Sequence, residues 1–135
     1  MRRAAAQCSA GEQCCADIYQ KLLRWGVTEE DASEVVARLV SDGFVDDARY
    51  ARAFAHDRIR YHRWGRVKIA YMLRQRGVGG AAIGDALAAI DGEWAEEYAA
   101  ALGATLAVKR GDRTKAMRYA ASHGFTADEI YRAIE

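Results

Sequence analysis

The sequence contains no proline. Proline is the strongest breaker of a helix interior, because it lacks the N–H and its ring collides with the preceding turn. Its absence from a chain that is 51% apolar suits an all-helical fold. Long apolar runs are missing too, and none approaches the roughly 18 residues a membrane-spanning helix needs. The start, Met1-Arg2-Arg3-Ala4-Ala5-Ala6, begins as a secretory signal does. The apolar character stops at Gln7, far short of an h-region, so a cytoplasmic protein without a membrane partner is expected. Cysteine is scarce and confined to one end. Cys8, Cys14 and Cys15 form an odd set with no second cluster, which argues against a disulfide framework. No C-x2-C spacing accompanies them, and the next ligand type, His56, lies far along the chain, so no metal is expected. They read as small apolar side chains on a buried helix face. A dominant charge is also lacking: the formal net charge is +1, which by itself announces no nucleic-acid partner.

What the sequence has is punctuation by glycine. Gly26, Gly43, Gly65, Gly77, Gly92, Gly111 and Gly124 each follow a helical stretch or separate two, as C-terminal caps and turns do. Start signals come after them: Thr28 before Glu29-Glu30-Asp31, then Asp46 and Asp112, and the capping-box patterns Ser9-Ala10-Gly11-Glu12 and Thr126-Ala127-Asp128-Glu129. Helices are expected near 12–25, 29–42, 47–63, 66–76, 81–90, 93–110, 113–123 and 127–134, with a further short one at 2–9. No segment alternates at period two, so no strand is expected.

The pattern repeats. Placing Gly26, Gly77 and Gly124 in register brings Ile18 onto Ile69, Leu22 onto Leu73 and Leu39 onto Ile90. Ala32, Ile83 and Ile130 then coincide. The expected architecture is a single all-α domain of tandem three-helix repeats in a solenoid-like array, with units at about 12–63, 66–110 and 113–135, the last having two helices. Gly26, Gly77 and Gly124 carry the repeated turn and are structural.

Positive charge is unevenly placed. Between His56 and Arg76 lie Arg58, Arg60, Arg63, Arg66, Lys68, Arg74 and Arg76, against only Asp57. On a helix over 47–63, residues Arg49, Arg52, His56, Arg60 and Arg63 fall within an arc of about 80°, opposite Tyr50, Ala51, Phe54 and Tyr61. Such a single-sign stripe is a candidate docking surface for an acidic partner or for phosphates. Arg66, Lys68 and Arg74 on the next helix point away from Ile69 and Leu73 and extend it. Arg58 falls on the apolar side. It is expected to be structural, buried and charge-paired, with its replacement by alanine costing roughly 3–5 kcal/mol if a buried carboxylate is its partner. Trp64 is expected to fill the joint between two helices. Gly77-Val78-Gly79-Gly80 follows a helix and lacks Gly-Lys-Ser/Thr, so it is no phosphate loop. No nucleophile–base arrangement is visible. Neither an enzyme nor a bound cofactor is expected.

The stretch Gly43-Phe44-Val45-Asp46-Asp47-Ala48-Arg49-Tyr50-Ala51 resembles the RecX family of bacterial regulators of RecA recombinase. So do Trp64-Gly65-Arg66-Val67-Lys68-Ile69, then Leu73-Arg74-Gln75-Arg76-Gly77-Val78, and His123-Gly124-Phe125-Thr126 with Ile130. Asp17-Ile18-Tyr19-Gln20-Lys21-Leu22 stands where the family commonly has Glu-Leu-x-x-Lys-Leu. Cys14 departs from the serine that many members place there. The resemblance covers nearly the whole chain from about Asp17. It implies a curved array of three-helix repeats that binds the RecA–DNA filament and modulates, mostly by inhibiting, its ATPase, strand-exchange and coprotease activities; a monomer is expected. A rival reading keeps the basic stripe but gives it single- or double-stranded DNA as its only partner.

Overall fold

A computed structural model describes residues 13–135. The short helix expected at 2–9, the cap pattern at Ser9–Glu12 and Cys8 lie outside the described residues. Eight helices follow one another there with no strand: α1 (Cys15–Arg24), α2 (Glu29–Ser41), α3 (Asp47–His62), α4 (Arg66–Gln75), α5 (Gly80–Asp91), α6 (Ala95–Ala107), α7 (Arg113–Ser122) and α8 (Ala127–Ile134).

Local chemistry sets their ends. The Thr28, Asp46, Asp112 and Thr126 side chains each accept a hydrogen bond from the backbone N–H three residues on, satisfying donors that a helix start leaves free. At Thr126 the box is complete, since Glu129 also accepts from the Thr126 N–H at 2.9 Å. The three aligned glycines end their helices in the same way. Gly26, Gly77 and Gly124 have φ of +88°, +80° and +97°. The residue after each donates to the carbonyl five back: Val27 to Leu22 at 3.0 Å, Val78 to Leu73 at 3.1 Å and Phe125 to Ala120 at 3.3 Å. This is the Schellman arrangement, and its left-handed position suits glycine. Helix α6 is shorter than the expected 93–110. Trp94 serves as its N-cap, and the chain turns after Ala107 toward Gly111, whose φ is +96°.

Packing divides the chain unequally. The main core runs through α3 to α8 and includes Tyr50, Phe54, Ile59, Ile69, Leu73, Ile90, Trp94, Leu102, Phe125 and Ile130. A smaller core holds α1 to α2 through Ile18, Leu22, Ala32, Leu39 and Val45, with Trp25 against it. The sequence alignment closes its first unit after α3. In packing, α3 goes with α4 and α5, because its apolar side lies most extensively on α5. The small core meets the large one at the start of α1. Cys14 is buried in the main core, its thiol donating to the Arg76 carbonyl at 3.3 Å. Asp47 accepts from the Cys15 N–H at 2.8 Å, so an α3 residue caps α1. Burial pushes both thiols up, to about 11, which leaves them protonated at neutral pH.

A second junction joins α4 to the α7–α8 turn. The N–H groups of Gly65 and Val67 donate to the carbonyls of His123 at 2.7 Å and Gly124 at 3.0 Å. The approach is so close that a Cβ placed on Gly65 would lie 2.3 Å from the Gly124 carbonyl carbon.

Candidate interaction surface

The basic arc on α3 exists, but it does not stand alone. Carboxylates from α5, α6 and the turn between them reach it. The Arg52 guanidinium lies against Glu93 and 3.7 Å from Asp85. His56 Nε2 is 2.9 Å from the Glu97 carboxylate, and its ring stacks on Trp94 at 4.5 Å. Arg60 is 3.8 Å from the same Glu97. The expected single-sign field is therefore corrected to a cation–carboxylate seam. A helical wheel for α3 sees only its own charges, whereas these acids arrive from helices packed beside it. Partly exposed pairs of this kind contribute about 0–1 kcal/mol each. Their larger effect is to cancel the local field. Tyr61, expected with the apolar stripe, is instead 69% exposed and borders a hollow beside Arg49, Arg52 and Trp94. Arg63 ends α3 in the left-handed region, with φ of +54°, and is exposed.

Arg66 is the clearest correction. It does not extend an outer surface. Its guanidinium takes Asp91 in a two-pronged grip, at 2.7 and 3.2 Å, and Glu129 at 2.9 Å. Its backbone N–H donates to the Tyr98 hydroxyl at 3.0 Å, which donates in turn to Glu129 at 2.9 Å. The network ties the start of α4 to α5, α6 and α8. Asp91 is held below the usual carboxylate range by its hydrogen bonds from Arg66. Burial pushes the Tyr98 hydroxyl above its usual range. A wheel places Arg66 outward because its partners, like those of Arg52, belong to other helices.

Lys68 and Arg74 do remain at the surface of α4. Lys68 Nζ lies 4.6 Å from the centre of the Trp64 ring. Trp64 is half-buried between α3 and α4, in the joint expected for it, with Phe54 at 6.2 Å edge-on. Arg58 is only partly buried. Its guanidinium lies 4.5 Å from the Phe54 ring centre and 5.3 Å from that of Trp64, and pairs with the neighbouring Asp57 at 2.9 Å. No buried carboxylate holds it, so the expected 3–5 kcal/mol does not apply. Arg58→Ala is expected to lower stability by about 1 kcal/mol, the scale of a partly exposed cation–ring contact, as measured by denaturant unfolding.

The sequence reading missed a row of cations seated on rings. Arg76, the C-cap of α4, reaches across to α3. It donates to the Tyr50 hydroxyl at 3.1 Å and lies 5.2 Å from the Phe54 ring centre. Tyr50 and Phe54 stack at 6.1 Å. Arg76, Arg58 and Lys68 thus sit along the row Tyr50–Phe54–Trp64, on the side of α3 away from the carboxylates of α6. A signal was present: Tyr50, Phe54 and Arg58 are four residues apart on α3 and share a helix face.

Among the described residues, no group of His, Cys, Asp and Glu could hold a metal ion, and no helix is long and apolar enough to cross a membrane.

Comparison with known proteins agrees on one family. A sequence model of the second three-helix domain of RecX matches residues 46–87, which take in α3, α4 and most of α5. The chain is 30% identical over 121 residues to the regulatory protein RecX of Halorhodospira halophila, covering 87% of this chain and 74% of that one. It is 35% identical over 80 residues to the RecX of Xanthomonas axonopodis pv. citri, covering 59% of this chain and 49% of that one. The fold superposes on the crystal structure of RecX from Lactobacillus salivarius with a TM-score of 0.87 at 18% identity, over 98% of this chain and 90% of that one.

Proposed function

The chain belongs to the RecX family, and from that premise we propose that it is a cytoplasmic regulatory protein that binds the RecA–DNA filament and restrains its ATP hydrolysis, strand exchange and coprotease activity. The observation that carries the reading is the 30% identity to a regulatory protein RecX across 74% of that relative's length. The geometry supports a mechanism of binding rather than chemistry. The partly shielded ionic network around Arg66 is occupied in holding helices together. The surface cations Lys68 and Arg74 and the ring-seated Arg58 and Arg76 offer contacts to an acidic partner instead.

ATP hydrolysis by the cognate RecA on single-stranded DNA tests this. Suppression is expected at protein concentrations well below those that coat the free DNA. The rival reading, a DNA-binding helical module with no recombinase partner, draws on the stretch from residue 58 to 84, which has no Asp or Glu. A pure DNA competitor would inhibit only when the DNA itself is saturated, and that dose dependence would overturn the proposal.

A further inference from the structure

We infer that the outer face of α4 is the surface that docks, and that its occupant is an acidic protein surface with an apolar centre, a recombinase subunit rather than the DNA. The inference rests on the proposed function for the identity of the partner; the face itself comes from the geometry.

Val67 and Tyr71 are 55% and 56% exposed, so both large side chains stand in water. With Arg74 they fall within an arc of about 60° on α4, opposite Ile69 and Leu73. Lys68 borders this arc on the side of Trp64, and Arg58 continues the charge beyond that ring. The result is an apolar centre with a cationic rim. No acid lies on α4, and none occurs in the sequence from residue 58 to 84. Docked protein interfaces are built this way, with Tyr and Arg enriched in a patch whose centre lacks charge.

Two observations favour protein over nucleic acid. Phosphate recognition wants cations at the centre of the contact, and here the centre is Val67 and Tyr71. The aromatic row Tyr50–Phe54–Trp64 offers bases no stacking platform, because Tyr50 and Phe54 are buried and cations already cover the rings of Phe54 and Trp64. Two of the three helices that follow the aligned glycine turns are no better suited to enter a DNA groove. Helix α2 opens with Glu29, Glu30 and Asp31, and α8 with Asp128 and Glu129, where like charge repels phosphate.

The test compares wild type, the double variant Val67→Ala with Tyr71→Ala, and Arg74→Glu. Alanine favours the helix, so the double variant keeps the fold, which circular dichroism and thermal unfolding verify. Each is titrated against RecA filament assembled on single-stranded DNA with a non-hydrolysed ATP analogue, and against the same DNA bare, at low and high salt. The double variant is expected to lose about tenfold or more in filament affinity at both salts, with bare-DNA binding unchanged. Arg74→Glu should weaken filament binding chiefly at low salt. An equal loss on bare DNA would make the occupant nucleic acid and overturn the inference. Undiminished filament binding by a folded double variant would reduce the face to ordinary surface. Failure of the wild type to bind filament would strike the proposed function first, and this inference with it.

Discussion

Replacing Arg66 by alanine is expected to lower the thermal midpoint by roughly 10 °C, corresponding to about 2–4 kcal/mol. The side chain of Arg66 is 25% exposed and that of Glu129 16%, so the pair is largely shielded from water. Removing the guanidinium leaves Glu129 with only Tyr98 and its own helix cap as partners. A half-buried carboxylate that loses its cation retains the cost of leaving water. The discount from the full 3–5 kcal/mol of a buried pair reflects the remaining exposure, above all of Asp91. Arg66→Lys should recover only part of the loss, because an ammonium cannot grip Asp91 with two parallel bonds and reach Glu129 as well. Acid narrows the gap. The folded-state pKa of Asp91 is depressed by Arg66, so its contribution is present above the ordinary carboxylate pKa and is lost as pH falls through the lower, folded value. Below about pH 4 wild type begins to lose that share, while Arg66→Ala has none to lose. A midpoint unchanged within error at pH 7 would show that the network is incidental.

The difficulty of seeing Arg66 from sequence marks where sequence reasoning runs out in this molecule. Helices and caps are local events. Thr28, Asp46, Asp112 and Thr126 carry their own oxygen to an N–H three residues away, so four of the helix starts are legible from short motifs. The Gly26, Gly77 and Gly124 turns are legible for the same reason. Their hydrogen bonds close within six residues. The candidate site is not local. Whether a basic stripe is a free field depends on which acids come to face it, and Glu93 and Glu97 reach α3 only through the packing of α6. Arg58 illustrates the intermediate case. Its position on the apolar side of α3 follows from helical geometry, but its company there is two rings and Asp57 rather than a buried acid. The helical wheel supplies direction, and only the tertiary structure supplies the partner.

Gly65→Ala is expected to be the most damaging single-methyl substitution, at about 3 kcal/mol or more, because two backbones touch there and neither can yield. The added Cβ would stand 2.3 Å from both the Gly124 carbonyl carbon and the Phe125 nitrogen, and 2.5 Å from the Gly124 oxygen. A side chain in the way can rotate; a backbone in the way must move with its helix. Separating the two strands of chain breaks the bonds from Gly65 to His123 and from Val67 to Gly124, worth about 1 kcal/mol each beyond the steric term. Gly124→Ala should come close, since it combines a φ of +97° with a Cβ only 2.5 Å from that of Lys68. Gly26→Ala is the informative contrast. Its φ is +88°, but nothing lies within 4 Å of the new methyl, so only the left-handed strain remains, about 1–2 kcal/mol. Gly77→Ala falls between them, because its methyl meets Ala16 at 2.7 Å and presses on the attachment of α1. Urea unfolding of the four variants measures the order directly. Hydrogen exchange at the Gly65 and Val67 amides reports whether the α4 junction has opened in the variants that still fold. Gly65 is also the N-cap of α4, so a folded but loosened Gly65→Ala protein should hold the start of α4 less firmly against the α7–α8 turn. If Gly65→Ala matches Gly26→Ala in stability, the close approach of the two backbones is refuted.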